Sequence, residues 1–394
     1  MRTEGIKYAG SKKSLIPVIL RLIEPLQVRT VFDGFTGTTR VAQSLKRAGY
    51  NVIANDVAVW SKVFATCYLL NRHAAAHYEP MIEHLNRLPG KRGWFSDYYG
   101  GEANGGSSVQ KDGKKKIWQL HNTMKLDAIR DEIDVIAQNE VEKSVLLTSL
   151  MLALDKIDST VGHQVSYLRQ WATRAFQEMK LRVPDLIVDD HPHKVFQKDV
   201  FSLLQHATAT AGADLAYYDP PYGSSNELMP PSRVRYASYY HLWKTVCLND
   251  RPAVGGAANR RRDASDSLSA SVFEEFRKST RKRYLAVEAI ERLLKNTGAR
   301  YTLLSYSSGG RGTFDEIIEV INGLRMQALV GRLDYRRNVM ASMNWTQEWT
   351  PPSREIDERK HQEFFFLIGD CIPDQFIERE RFSSGQPVRY SLIS

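Results

Sequence analysis

The chain has 394 residues, 42% hydrophobic and 25% charged, with a formal net charge of +9. This composition excludes a disordered or low-complexity chain and leaves room for a large core, in two structural units. Three widely separated cysteines, Cys67, Cys247 and Cys371, exclude a disulfide framework and a four-cysteine zinc site.

The positive balance favours a polyanionic partner, because cationic side chains near phosphates release condensed counterions. The opening residues, Met1 to Lys7, carry no apolar signal core, and the most apolar stretch, 145–154, is too short to span a bilayer. The expectation is a soluble protein of a reducing cytoplasm, with no membrane partner.

In chain order, a helix is predicted over 11–26, then a short strand, Thr30-Val31-Phe32-Asp33. A Gly-rich turn leads into a second helix, where Val41, Leu45 and Ala48 fall three and four apart, and Gly49 stops it. Residues 51–56 read as a second strand, followed by a helix to about Asn71. Strand–helix alternation at this spacing predicts a parallel sheet covered by helices.

The pattern changes over 89–116, a polar, Gly-, Ser- and Lys-rich run expected to be a long mobile loop. Three helices are predicted after it, over 118–137, 141–157 and 165–179. In the last, Leu168, Trp171, Ala172, Ala175, Phe176 and Met179 make one apolar face of a packed core. Alternation resumes near Lys194, with strands over 195–199, 215–218, 301–306 and 363–368 and a helix over 284–295. A helical insertion over 74–192 therefore splits a sheet-forming domain made of 1–73 and 193–394.

The most informative run is Asp219-Pro220-Pro221-Tyr222, delivered by the buried strand Leu215-Ala216-Tyr217-Tyr218 to the end where open α/β sheets bind ligands. The exocyclic amine of adenine is a poor nucleophile, because its lone pair is delocalised into the ring. A carboxylate (Asp219) and a carbonyl (Pro220) that each accept one amine hydrogen would free that lone pair. The prolines fix φ and so hold the carbonyl in place. Tyr222 offers a ring against which a flipped base can stack. By itself the tetrapeptide is also compatible with a rigid turn.

The turn Asp33-Gly34-Phe35-Thr36-Gly37 lies between a strand and a helix. Its glycines let the backbone approach a cofactor, and Asp33 can receive a cationic amino group. Asp56 ends the next strand, where an acid commonly accepts the two hydroxyls of a ribose. No metal-ligand cluster is evident. No cysteine follows a proline in the manner of a thiol nucleophile for cytosine-ring methylation, which argues against carbon methylation.

Together these motifs resemble the D12 class of adenine-specific DNA methyltransferases, which includes the Dam methylases. Lys7-Tyr8-Ala9-Gly10-Ser11-Lys12 is similar to the family's first cofactor motif and Phe32 to Thr39 to its glycine motif. Asn55-Asp56 matches its acidic ribose position, and Gln197-Lys198-Asp199-Val200 the acid beside the cofactor's adenine. Asp219 to Tyr222 is its catalytic motif, and the order is that of the α group. Thr38-Thr39 depart from the family's small-glycine ending. Ser159 to His163 and Ser166 to Trp171 resemble modification enzymes of restriction systems.

The resemblance implies a Rossmann-like S-adenosylmethionine-dependent methyltransferase sheet with a mainly helical inserted target-recognition region. It implies cofactor contacts from Tyr8, Lys12, Asp33, Gly34, Phe35, Gly37, Asp56 and Asp199, and catalysis by Asp219, Pro220 and Tyr222. It also implies double-stranded DNA as partner, a cognate restriction endonuclease, and a bacterial or phage-encoded cytoplasmic enzyme. Asp199 could alternatively cap the helix after it. Candidate phosphate contacts are Lys111, Lys114, Lys115 and Lys116, Arg260, Arg261 and Arg262, and Arg277, Lys278, Arg281, Lys282 and Arg283. Arg233, Arg235, Tyr236, Tyr239 and Tyr240 are placed to close on a flipped nucleotide. The rival readings are methylation of the cytosine amine, of RNA or of a protein amide, and a catalytically silent DNA-binding relative. An Asn or Ser in place of Asp219 would favour the other amine substrates.

Overall fold

Period-two alternation in short apolar strands sends neighbouring side chains to opposite faces of one sheet, and helices cover both. The computed structural model describes residues 2–206, 210, 212–223, 235–264, 271–336, 360–372 and 389–393. The sheet is built from β1 (Thr30–Asp33), β2 (Asn51–Asn55), β3 (Lys194–Phe196), β4 (Leu215–Tyr218) and β5 (Tyr301–Ser307). It is completed by β6 (Gln327–Arg336), β7 (Lys360–Gly369) and β8 (Arg389–Ile393), in the spatial order β8-β6-β7-β5-β4-β1-β2-β3. Strands β5, β4, β1, β2 and β3 are parallel, whereas β7, β6 and β8 extend the sheet by antiparallel pairing.

The helices are α1 (Ile16–Ile23), α2 (Arg40–Arg47), α3 (Val59–Ala65), α4 (Ala75–Arg87), α5 (Trp94–Tyr99) and α6 (Leu120–Ile136). They continue as α7 (Glu140–Ile157), α8 (Val200–Leu204), α9 (Tyr236–Tyr239), α10 (His241–Leu248), α11 (Leu285–Lys295) and α12 (Phe314–Gly323). On one sheet face Val31, Tyr217 and Leu303 pack with Ile19, Leu22 and Leu45 of α1 and α2. On the other, their neighbours Phe32, Tyr218 and Leu304 pack with Ile290 and Ile317 of α11 and α12.

The strand order reverses at β1. From there the chain steps outward to β2 and β3, then returns to the other side of β1 through β4 and β5. Ligands of open α/β sheets bind in the crevice at such a switch point, beyond the carboxyl ends of the strands. Asp33 ends β1 and Asp219 follows β4, so the two acids flank that crevice.

A helical lobe sits beside the sheet. Its core joins Ile129, Leu146, Leu150 and Leu154 of α6 and α7 to Ile6, Trp60 and Tyr68, and to Trp243 and Val246 of α10. Helix α7 starts on Asn139, whose side chain accepts from the backbone N–H groups of Val141 and Glu142.

Two sequence expectations change here. Residues 165–179 do not form an α-helix; only a 3-10 turn, Thr173–Phe176, interrupts an irregular path. Leu168 N–H donates to the Ser159 carbonyl, Trp171 N–H to the Gly106 carbonyl, and Ser108 N–H to the Arg169 carbonyl, so this segment spends its backbone groups on other loops. Trp171, Ala175 and Met179 are buried from that irregular path, while Phe176 is 49% exposed. The run 89–116 is likewise not one open loop. It contains α5, and Gly100–Gly101 pairs in parallel with Trp118–Gln119.

Arg130 of α6 is fully buried and donates through Nε to the Val246 carbonyl (2.5 Å) and through Nη2 to the Cys247 carbonyl (3.0 Å), at the negative end of α10. Arg130→Leu therefore strands two carbonyls in the lobe. The expected loss is about 3 kcal/mol of unfolding free energy in urea titrations; an unchanged midpoint would show that this arginine does not tie α6 to α10.

Candidate active site

Four strand ends and the N-terminal segment contribute to the walls of a cavity of about 680 Å³. Its walls include every residue that the sequence nominated: Tyr8, Lys12, Asp33, Gly34, Phe35, Gly37, Asp56, Asp199, Asp219, Pro220 and Tyr222. The fold thus gathers them, although they come from five separate stretches of chain.

The glycine turn is built by backbone geometry. A Cβ on Gly34 would stand 2.6 Å from the Tyr218 ring, so the close approach of β1 to β4 needs glycine there. Thr39, where the sequence departs from a glycine ending, has φ of 62° and sits at the N-terminus of α2. A left-handed threonine costs about 1 kcal/mol or more. Four bonds hold it there: Thr39 N–H to the Thr36 carbonyl (2.7 Å), the Thr39 hydroxyl to the Thr38 carbonyl (2.7 Å), Gln43 N–H to the Thr39 carbonyl (2.8 Å), and Gln43 Nε2 to the Thr39 hydroxyl (2.8 Å).

Asp33 is 1% exposed, and neither carboxylate oxygen makes a hydrogen bond of good geometry among the described residues, although the backbone N–H of Phe35 lies close enough to favour its charged form. Burial holds its carboxyl well above the usual range, and the charges of Asp219 and Asp56 push the same way. Asp56 accepts from the backbone N–H groups of Gly37 (2.8 Å) and Ala58 (2.9 Å); burial also raises its pKa. Asp199 Oδ1 caps α8, accepting from Phe201 and Ser202 N–H groups, so it has a structural role as well as a place in the pocket wall.

The acid of the tetrapeptide sits in a charged knot. Lys12, 5% exposed, places its ammonium 2.9 Å from Asp219 Oδ1 and 2.9 Å from Glu363 Oε1. The Tyr222 hydroxyl donates to Asp219 Oδ1 and lies 3.1 Å from Glu363 Oε1. Both contacts to Asp219 fall on Oδ1; among the described residues no protein group donates to Oδ2, and the side chain is 19% exposed. Burial pushes the Asp219 carboxyl up to about 6, against the lowering effect of Lys12 and with Glu363 raising it further. Burial, Asp219 and Glu363 also keep the Tyr222 phenol protonated.

An aromatic clasp fixes the N-terminal segment over this knot. The Tyr8 ring packs against Trp60 (5.5 Å) and Tyr240 (4.7 Å), and the Tyr240 hydroxyl accepts from Ala9 N–H (2.6 Å). The Tyr236 hydroxyl donates to the Ala9 carbonyl (3.2 Å). Tyr236 and Tyr240 therefore serve the pocket wall. Arg235 is buried beside Glu275, and Arg233 lies outside the described residues.

Sequence reasoning missed Glu363 and Ser305. The signal was available: Glu363 is an acid heading an otherwise apolar run, Phe364 to Ile368. Several of the expected phosphate-binding cations are used internally, with Lys114 on Asn259 (2.7 Å) and Arg283 on Glu291 (2.7 Å) half-buried. Lys116 is buried on Asp112 (2.9 Å), and Arg261 on Asp250 and Asp263 (2.6 Å each). Lys111, Arg262, Arg281 and Lys282 remain exposed. Among the described residues no group of His, Cys, Asp or Glu is arranged to hold a metal ion, and no helix is long and apolar enough to cross a membrane.

Residues 8–290 match the family described as D12 class N6 adenine-specific DNA methyltransferase. The chain belongs to this family. It is similar to the modification methylase StsI of Streptococcus sanguinis, 26% identical over 84% of this chain and 48% of that protein. It is also similar to the type II methyltransferase M.FokI of Planomicrobium okeanokoites, at 25% over 84% of this chain and 49% of that protein. The type II methyltransferase M.NlaIII of Neisseria lactamica is 23% identical over 84% of this chain and 92% of its own length. The chain spans about half the length of the first two relatives.

For a D12 methyltransferase the sheet described above is the Rossmann-like catalytic fold, and membership implies S-adenosylmethionine as methyl donor. The pocket fits that group: Asp33 presents two buried carboxylate oxygens with no partner of good hydrogen-bond geometry, suited to a cationic amine.

Because folding raises the Asp33 pKa, its ionised form costs stability that appears as pH rises above the unfolded value. Asp33→Asn is expected to melt higher than wild type at pH 8, with the difference vanishing below about pH 4. Calorimetric melting across that range checks it; a lower melting temperature for the variant at pH 8 would contradict it.

Proposed function

We propose that this chain transfers a methyl group from S-adenosylmethionine to the N6 amine of adenine at a fixed sequence in double-stranded DNA. It would act as the site-specific modification enzyme of a restriction–modification pair, beside a cognate nuclease in a bacterial or phage-infected cytoplasm. The observation that carries this reading is Asp219. It stands at the switch point with one oxygen held by Lys12 and Tyr222 and the other unoccupied by any described protein donor, in the same pocket as the buried Asp33.

The bound cofactor supplies an electrophilic methyl group. The residues of the chain would do the rest. Asp33 receives the cofactor's amino group and Asp56 its ribose hydroxyls, with Gly34, Phe35, Gly37, Tyr8 and Asp199 shaping the walls. Lys12 borders the same space while its ammonium serves the catalytic acid. Asp219 Oδ2 and the Pro220 carbonyl accept the two amine hydrogens, which localises the nitrogen lone pair. Positive charge growing on that nitrogen meets a fixed acceptor in a site shielded from water. When the nitrogen has gained its methyl group it sheds one proton, and Asp219 is the nearest base. Tyr222, anchored by its hydroxyl, offers its ring as a wall for the extruded base.

The exposed cations Lys111, Arg262, Arg281 and Lys282 are assigned to the phosphate backbone, and the inserted region 74–192 to target recognition. The printed names of the relatives, modification and type II methyltransferases, support the pairing with a nuclease.

Asp219 must be ionised to accept an amine hydrogen. Transfer of labelled methyl groups to adenine-containing duplexes should therefore fall as pH drops through about 6. Asp219→Asn keeps the shape but loses the charge, and should lower kcat by about 100-fold or more while cofactor affinity changes less than about threefold. Full activity in Asp219→Asn, or a rate independent of pH down to pH 5, would overturn the assignment.

A further inference from the structure

Glu363 does not line the pocket, yet it is bound to nearly everything that holds the catalytic acid. It enters from β7, the antiparallel strand whose start lies beside the end of β5, in register with Ser307. The side chain is fully buried. Its Oε1 lies 2.9 Å from the Lys12 ammonium, 2.6 Å from the Ser305 hydroxyl and 3.1 Å from the Tyr222 hydroxyl. Its Oε2 has no hydrogen-bond partner among the described residues. A carboxylate placed ahead of three phenylalanines adds nothing to packing, and a buried charge is tolerated only where a specific partner holds it.

We infer that Glu363 is a positioning residue for methyl transfer: it shares the Lys12 ammonium with Asp219 and orients the Tyr222 hydroxyl, so that Asp219 keeps a negative, fixed oxygen for the target amine. This rests on the reaction proposed above.

The two N···O distances at Lys12 are equal, so neither acid takes the ammonium alone. If Glu363 lost its charge, Lys12 would neutralise Asp219 more completely, and the acid would accept an amine hydrogen less strongly. Tyr222 would keep its contacts with Lys12, Asp219 and the Ser305 carbonyl, but the pull of a charged Oε1 on its hydroxyl would weaken. The charged and titratable groups facing this knot are Lys12, Asp219, Asp33, Tyr217 and Tyr222, with Tyr8 and Tyr236 from the pocket wall. Of these, Lys12 alone is cationic, so the division of its charge governs the acceptor.

The test compares Glu363→Gln with wild type in methyl transfer to duplex DNA, measured against pH. The isosteric amide keeps the Ser305 bond and removes only the charge. The expected result is a kcat lower by roughly tenfold or more, with KM for cofactor and DNA within about threefold. The acid limb of the rate should move to lower pH, because the charge of Glu363 raises the Asp219 pKa and its removal lowers it. A merely structural role would leave that limb in place.

If Glu363→Gln does not fold, Ser305→Ala loosens the same carboxylate, and a smaller loss of kcat with a shifted limb is expected. Methyladenine formed at equal rates by wild type and variant, with the same limb, overturns this inference and leaves the proposed reaction standing. No methyladenine from the wild type removes both.

Discussion

A single buried ammonium, on Lys12, holds together three parts of the chain: the N-terminal segment, the loop after β4 and the start of β7. Taking a cation and two carboxylates out of water costs several kcal/mol per ion unless geometry and further hydrogen bonds recover it. Here the recovery comes from Tyr222 and Ser305, whose hydroxyls engage Asp219 and Glu363. The knot carries one positive and two negative charges when all are ionised. With Asp33 and Asp56 nearby, the pocket is acidic before any ligand arrives. A cationic ligand is therefore favoured; burial, with mutual repulsion at Asp33 and Asp219, raises the carboxyl pKa values.

The sheet explains why these acids lie together. Parallel strands deliver their carboxyl ends to one edge, and the reversal of order at β1 opens a crevice between β1 and β4. Antiparallel β7 then brings its amino end to the same edge, which is how Glu363 arrives from the far end of the sequence. The helical lobe contributes through Trp60 and α10, since the core that packs α6 and α7 also seats Tyr8 and Tyr240. Rigidity of the pocket wall and stability of the lobe are thus one property.

Much of this was legible in the sequence. Short apolar runs ended by acids gave β1, β2 and β4 within a residue, because local alternation and burial agree there. Asp33, Asp56 and Asp219 could be nominated from pattern because each closes or directly follows a strand, whereas Tyr8, Lys12 and Asp199 came only from the family resemblance. Residues 165–179 misled because their apolar spacing matches a helix, while the backbone bonds that decide the matter run to Ser159, Gly106 and Ser108. Such long-range pairing leaves no local trace. Glu363 was passed over for a related reason: within a strand pattern a single acid reads as an interruption, and only the antiparallel register shows what it faces. Lys116 and Arg261 were read as solvent-facing cations, but their carboxylate partners fold over them.

The central claim is that the acids at this sheet edge prepare an adenine amine for methylation. It is tested most directly by expressing the chain in cells lacking DNA methylation and analysing the nucleosides of their digested DNA. The account predicts N6-methyladenine, confined to one sequence context and absent with Asp219→Asn. Methylation on the cytosine amine, or unmodified DNA from cells making the folded wild-type chain, would contradict it.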